Sequence, residues 1–175
     1  MGLKVVFFGT PDFAVASLDA LVQNGFSVLA VVTAPDKPAG RGMQLQASAV
    51  KQYALQHQLQ ILQPEKLKDP QFIAILQELA ADVHIVVAFR MLPELVWNMP
   101  PQGTINVHGS LLPQYRGAAP AQYALLHGVE KTGVTVFQLD RGMDTGPIFS
   151  QIEVGIDPQW RSFELLKVLA ERGVE

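Results

Sequence analysis

The sequence predicts an α/β protein built on an open, twisted, Rossmann-like sheet. The sheet is expected to be mostly parallel, with an antiparallel portion near the C-terminal end and helices on both faces. Three observations point there. Leu3–Phe8, Ser27–Thr33 and Val83–Phe89 are nearly continuous apolar runs, as strands covered on both faces require. A segment of helical period, Ala14–Gln23, stands between the first two and ends near Gly25, so the chain opens as a βαβ unit. Val134–Asp140 and Ile148–Ile156 are separated only by a short glycine-rich connection, RGMDTGP, which predicts a hairpin and therefore antiparallel pairing.

The remaining elements follow in order. Ala34–Gln46, with two prolines and two glycines, reads as a long, mildly basic loop carrying Lys37 and Arg41. Ser48–Gln58 has helical period, with Val50, Ala54 and Leu55 as its core stripe and His57 as a solvated C-terminal residue. Gln60–Leu62 is a short strand. Asp69 and Pro70 are cap and first residue of a helix through Ala80. His84 sits near the start of its strand, opposite the end where such sheets bind ligands, and reads as structural; Arg90, at the other end, has the functional address. Pro93–Trp97 forms one helical turn, and the strand TINVH follows at 104–108. Ala121–Leu126 is a short helix begun by Pro120 and ended near His127, and Ser162 opens a last amphipathic helix with Glu164 early in it.

At 175 residues, 49% of them hydrophobic, the chain suits one globular core rather than two domains or a disordered segment. Thirteen basic against sixteen acidic residues give a net charge of −3, which argues against a broad nucleic-acid surface. Without cysteine there is no disulfide, thiolate metal site or thiol nucleophile. The opening MGLKVVFFGTPDF has too short an apolar run for a signal peptide, and Val6 stands where a myristoylation signal places Ser or Thr. A cytoplasmic, membrane-free, monomeric protein is expected. The turn GTPDF holds one glycine and the second strand ends in Thr33 rather than an acid, so the dinucleotide fingerprint is missing.

Chemistry concentrates between Thr104 and Asp144. In TINVH, side chains two apart share a face, roughly 6–7 Å apart, so Asn106 and His108 point the same way near the strand's C-terminal end. The glycine-rich connection carries Asp144 into a segment able to fold back towards them. A hydrolytic triad would need Ser110, which lies in HGSLLP rather than a GxSxG elbow. A zinc site would need a third ligand at compact spacing. Direct acyl-type transfer needs donors for a developing oxyanion and a proton acceptor, and an amide, an imidazole and a carboxylate provide them. Spacing alone leaves a buried polar network without catalytic role equally open.

The run NVHGSLLPQYRGAAPAQYAL, followed by GVTVFQLDRGMDTGPI, resembles the formyltransferases that use 10-formyltetrahydrofolate. FFGTPDFAVASLDAL and APDKPAGRGMQ extend the likeness over essentially the whole chain, towards the members that formylate methionyl-tRNA. The resemblance implies a metal-free catalytic set of Asn106, His108 and Asp144. It implies folate contacts from Ser110, Leu111, Leu112 and Pro113, from Phe89, Arg90, Met91 and Leu92, and from Leu139 and Asp140. The inserted loop, Pro35–Gly42, is expected to approach the acceptor end of initiator methionyl-tRNA, with Arg41 as its contact. Residues 1–175 would be the catalytic domain; family members continue through a linker into a C-terminal β-barrel that grips tRNA, which these residues do not include.

The sequence departs from the family pattern at Arg90, where a small residue is common. Rival readings stay within reach. Sugar-nucleotide formyltransferases share HGSLLP but usually carry RAP where this chain has Ala118, Ala119 and Pro120, and glycinamide ribonucleotide formyltransferases have a phosphate-gripping first turn in place of GTPDF. A 10-formyltetrahydrofolate hydrolase and an inactive folate-binding module are the alternatives outside transfer.

Overall fold

The computed structural model describes residues 2–39 and 44–175. It opens on β1 (Lys4–Gly9), in which Val5, Val6, Phe7 and Phe8 are all fully buried. A strand wet on one face would alternate; this one is covered on both, which is why its sequence does not. Glycine closes it for a steric reason. A Cβ at Gly9 would lie 2.7 Å from the Phe7 ring and 2.8 Å from Ala14 Cβ, so only a bare Cα lets the chain turn into α1 (Asp12–Gln23) at that point. β2 (Ser27–Val32) then returns parallel to β1, completing the βαβ unit.

The stretch 34–46 is not all loop. β3 (Lys37–Ala39) and β4 (Gln44–Gln46) pair antiparallel, with Lys37 opposite Gln46. The ladder was not legible in the sequence, because a three-residue strand leaves too little alternation to read. The root of this excursion is tied down by Asp36, which accepts hydrogen bonds from Lys51 Nζ at 2.6 Å and Gln63 Nε2 at 2.8 Å. Those two bonds, Lys51 first, hold its carboxyl below the ordinary aspartate value. Arg41 lies outside the described residues.

α2 (Ala49–Gln56) is capped by Ser48 Oγ, which accepts from Lys51 N. His57 ends it, exposed and stacked on Tyr53 with ring centroids 4.1 Å apart. Of the expected core stripe, Val50 and Ala54 are buried but Leu55 is 59% exposed: the short helix turns that side to water. β5 (Ile61–Leu62) and α3 (Pro70–Leu79) follow, with Asp69 accepting from Gln71 N and Phe72 N as the predicted cap. β6 (Val83–Val87) stops two residues short of Phe89. Ala88 takes the left-handed backbone (φ +47), which turns the chain out of the ladder and leaves Phe89–Leu92 in the connection to α4 (Glu94–Trp97).

The chain forms two compact units, Met1–Thr104 and Ile105–Glu175. In the first, the strands run in the order β5-β2-β1-β6, every neighbour parallel. The second holds most of β7 (Thr104–His108), α5 (Pro120–Leu126), β8 (Lys131–Gln138), β9 (Ile148–Gly155) and α6 (Ser162–Arg172). Here β8 is antiparallel to both β7 and β9. The mostly parallel sheet with an antiparallel C-terminal portion is thus the observed topology. β8 begins three residues earlier than expected because Thr132 and Gly133 are buried and paired, and it ends two earlier because the turn claims Leu139 and Asp140. Among the described residues no helix is long and apolar enough to cross a membrane.

Among the described residues of the first unit His84 is a buried titratable group, 1% exposed, and its Nδ1 meets no partner there. Burial pushes its pKa down from 6.5 to about 4, against the smaller opposing effect of a bond to the Val96 backbone. Between those values the unfolded chain binds a proton that the native protein refuses, so stability rises with pH across the window and is lost as pH falls through it. From pH 7 to pH 5, urea unfolding of the wild type should lose about 2 kcal/mol more than that of a His84→Leu variant. Equal losses would show that His84 does not titrate against the fold.

Candidate active site

β7 presents Asn106 half-buried and His108 at 8% exposure on one face, close to the strand's C-terminal end. His108 Nε2 lies 2.9 Å from the carbonyl oxygen of Tyr115. A carbonyl can only accept, so Nε2 carries a proton. The other ring nitrogen, Nδ1, faces Asp144 Oδ2 at 3.7 Å, with the two side chains 9% and 14% exposed. That separation lets a carboxylate attract an imidazolium but is too long for a direct hydrogen bond. Nδ1 therefore keeps its hydrogen-bonding capacity for something else. The carboxamide of Asn106 likewise makes no hydrogen bond to the described residues. Behind the imidazole, fully buried Phe137 meets it edge to face at 6.5 Å.

Asp144 reaches this position through the turn between β8 and β9. Asp140 Oδ1 accepts from Gly142 N at 2.9 Å and from Thr145 Oγ1 at 2.7 Å, which folds the turn on itself. A Cβ at Gly146 would sit 1.8 Å from the Gln138 carbonyl oxygen, so this close return of the chain demands glycine. Asp144 itself is left-handed (φ +51), and its Oδ2 accepts a 2.7 Å hydrogen bond from Gly117 N.

Ser110–Pro113 leaves His108 as a strip fixed from behind. Ser110 is fully buried and its hydroxyl donates to Gln114 O at 2.6 Å, so it is no nucleophile. Thr135, opposite His108 in the ladder, donates to Ser110 O at 2.6 Å and accepts from Leu112 N at 3.0 Å. Gln151, opposite Thr135 on β9, donates to Leu112 O at 2.9 Å and to Thr135 Oγ1 at 3.0 Å. The Leu112–Pro113 peptide bond is cis. These bonds leave Leu111, half-buried, and exposed Pro113 on the strip's accessible side.

Phe89–Leu92 belong to the first unit. Arg90 donates through Nη1 to Glu65 O at 2.8 Å and through Nη2 to Pro64 O, with its guanidinium 5.5 Å from the Phe89 ring. Both terminal nitrogens thus hold backbone. Met91 is 77% exposed and Leu92 buried, beside an open cleft that Lys68, Leu95 and Asn98 also line. Leu139 and Asp140 are half-buried in the second unit, and the Asp140 carboxylate is engaged within its own turn. Sequence reading passed over Tyr115, Arg116, Gly117, Thr135 and Gln151 as site-building residues. Thr135, polar in the middle of the buried run GVTVF, carried a signal; the turn residues act largely through backbone, which leaves none.

A His–Asp pair on the antiparallel part of an open α/β sheet defines a class of fold and site that comparison makes specific. The chain belongs to the formyl transferase family, whose model, "Formyl transferase", matches residues 3–174. It is 59% identical over 154 residues to a protein from Bacteroides fragilis named methionyl-tRNA formyltransferase, covering 88% of this chain and 48% of that one. A Porphyromonas gingivalis protein of the same name is 51% identical over 171 residues, 98% of this chain and 53% of that one. The chain thus spans about half the length of the curated relatives it matches. Among solved structures, phosphoribosylglycinamide formyltransferase from Bacillus halodurans superposes with a TM-score of 0.79 at 21% identity, covering 98% of this chain and 89% of that one, which is a likeness of fold.

Replacing Thr135 by Val keeps the shape and removes the hydroxyl on which three groups converge. A loss of about 1–3 kcal/mol is expected by urea unfolding, the cost of leaving buried partners unpaired, with most of it regained in Thr135→Ser. A neutral Thr135→Val would mean that the strip is not held from this side.

Proposed function

We propose that this chain transfers the formyl group of 10-formyltetrahydrofolate to the amino group of methionine carried on initiator tRNA. The observation that carries the reading is the His108–Asp144 pair, preassembled beside Asn106 in a member of the formyl transferase family. The high identity to proteins named methionyl-tRNA formyltransferase favours that acceptor over a sugar nucleotide or glycinamide ribonucleotide.

The chemistry follows from which atoms are unspent. The amine nitrogen attacks the formyl carbon, and the carbonyl oxygen becomes an oxyanion. The Asn106 amide and His108 Nδ1–H donate to it, since both have that capacity left. Asp144, at 3.7 Å, balances the charge of the doubly protonated ring without consuming its Nδ1–H. The proton that the amine loses passes through a water held by Asp144 to N10 of the donor as the C–N10 bond breaks, and tetrahydrofolate leaves. One proton has moved from acceptor to leaving group, and the reaction balances without a metal. Folate contacts are proposed for Ser110–Pro113, for Phe89–Leu92 and for Leu139–Asp140, and a tRNA contact for Arg41. Such a reaction belongs to translation initiation in the cytoplasm, carried out here by a monomer.

His108→Ala and Asp144→Asn should each lower single-turnover formyl transfer by roughly 10²–10⁴-fold with the thermal unfolding temperature nearly unchanged. Turnover close to wild type in either variant removes the assignment. Donor consumption that proceeds equally with and without methionyl-tRNA would instead identify a hydrolase.

A further inference from the structure

The dyad is gripped from one short turn. Tyr115 and Gly117 both have left-handed backbone, φ +55 and φ +86, so the turn sends a carbonyl to one partner and an N–H to the other. Tyr115 O accepts from His108 Nε2 at 2.9 Å, and Gly117 N donates to Asp144 Oδ2 at 2.7 Å. Between them Arg116 donates through Nε to the backbone carbonyl of Asp144 at 3.1 Å. On its outer side the turn is moored by Tyr115 Oη, 3.3 Å from His127 Nδ1 at the end of α5.

We infer that Arg116 is a positioning residue for the transfer reaction, fixing the backbone of Asp144 so that its carboxylate stays aimed at the His108 ring. The inference rests on the function proposed above. Asp144 adopts a left-handed backbone that non-glycine residues avoid unless their surroundings hold them there. Gly117 fixes the carboxylate and Arg116 fixes the main chain behind it, so the residue is held at two points. Arg116 is exposed and makes no other hydrogen bond or ion pair among the described residues. It contributes little to the core, and what it holds is Asp144. A side chain whose one hydrogen bond among the described residues goes to the carbonyl of a reacting residue has its effect on geometry at the reacting centre.

A double-mutant cycle tests this, using single-turnover formyl transfer with 10-formyltetrahydrofolate and methionyl-tRNA. Arg116→Met should slow the transfer step roughly ten- to a hundredfold, as a misplaced catalytic group does, with both KM values within about twofold of wild type. Arg116→Lys, which keeps a cationic donor, should recover part of the loss. In an Asp144→Asn background the same Arg116→Met change should cost less than about twofold, because the group it positions is already gone. Additive losses overturn the inference. So does a loss confined to acceptor KM with a shallower salt dependence, which would make Arg116 a phosphate contact. A wild-type chain that transfers no formyl group, or an Asp144→Asn variant as fast as wild type, would overturn the proposed function and this inference together; an impaired Asp144→Asn variant with additive losses overturns the inference alone.

Discussion

The hydrogen bond from Gly117 N to the Asp144 carboxylate, at 2.7 Å, is the contact on which the site depends. A largely buried carboxylate needs either a charge partner or donors, and at 3.7 Å the imidazole supplies attraction but no direct bond. A short N–H donated to an ionised acceptor is among the stronger single interactions a backbone can offer. It joins the turn after the Ser110–Pro113 strip to the turn between β8 and β9, and so fixes one catalytic candidate relative to the other. Glycine suits position 117 because φ is +86, a backbone that L side chains rarely adopt.

Around that bond the second unit is organised as nested support. Asp140 closes the turn that delivers Asp144. Thr135 and Gln151 hold the strip that follows His108. Phe137 fixes the ring from beneath. Thr135 and Phe137 are fully buried, and the Thr135 hydroxyl is satisfied as both donor and acceptor, so the arrangement stiffens the site instead of weakening the fold. Asn106's amide and the spare capacity of His108 Nδ1, which make no hydrogen bond among the described residues, are what the proposed chemistry calls on. Rigidity of this kind suits a reaction whose catalysis consists of aiming dipoles at a charge that has yet to form.

Much of this was visible in the sequence, and the remainder was hidden for physical reasons. Unbroken apolar runs located β1, β2 and β6, and the cap Asp69 was legible because capping is a local hydrogen bond between near neighbours. Strand ends were less so: β6 stops at the left-handed Ala88, and β8 gives up Leu139 and Asp140 to a carboxylate-closed turn. Leu55 misled because helical period gives the face of a stripe but not its width. The period-two rule put Asn106 and His108 on one side, whereas the approach of Asp144 depends on Tyr115 and Gly117, whose signed backbone angles no hydrophobic pattern encodes. There the family resemblance supplied what local physics could not.

The central claim is that the imidazole is held in one orientation before any substrate arrives, with Nε2–H committed to the Tyr115 carbonyl and Nδ1 facing Asp144. The most direct measurement is nitrogen NMR of protein labelled at its histidine rings, with His108 assigned through a His108→Gln variant, recorded where the ring is neutral. A His108 signal with the proton on Nε2 and an Nε2–H slow to exchange with solvent is expected. A neutral His108 ring protonated on Nδ1, or one averaging freely between the two forms, would contradict it.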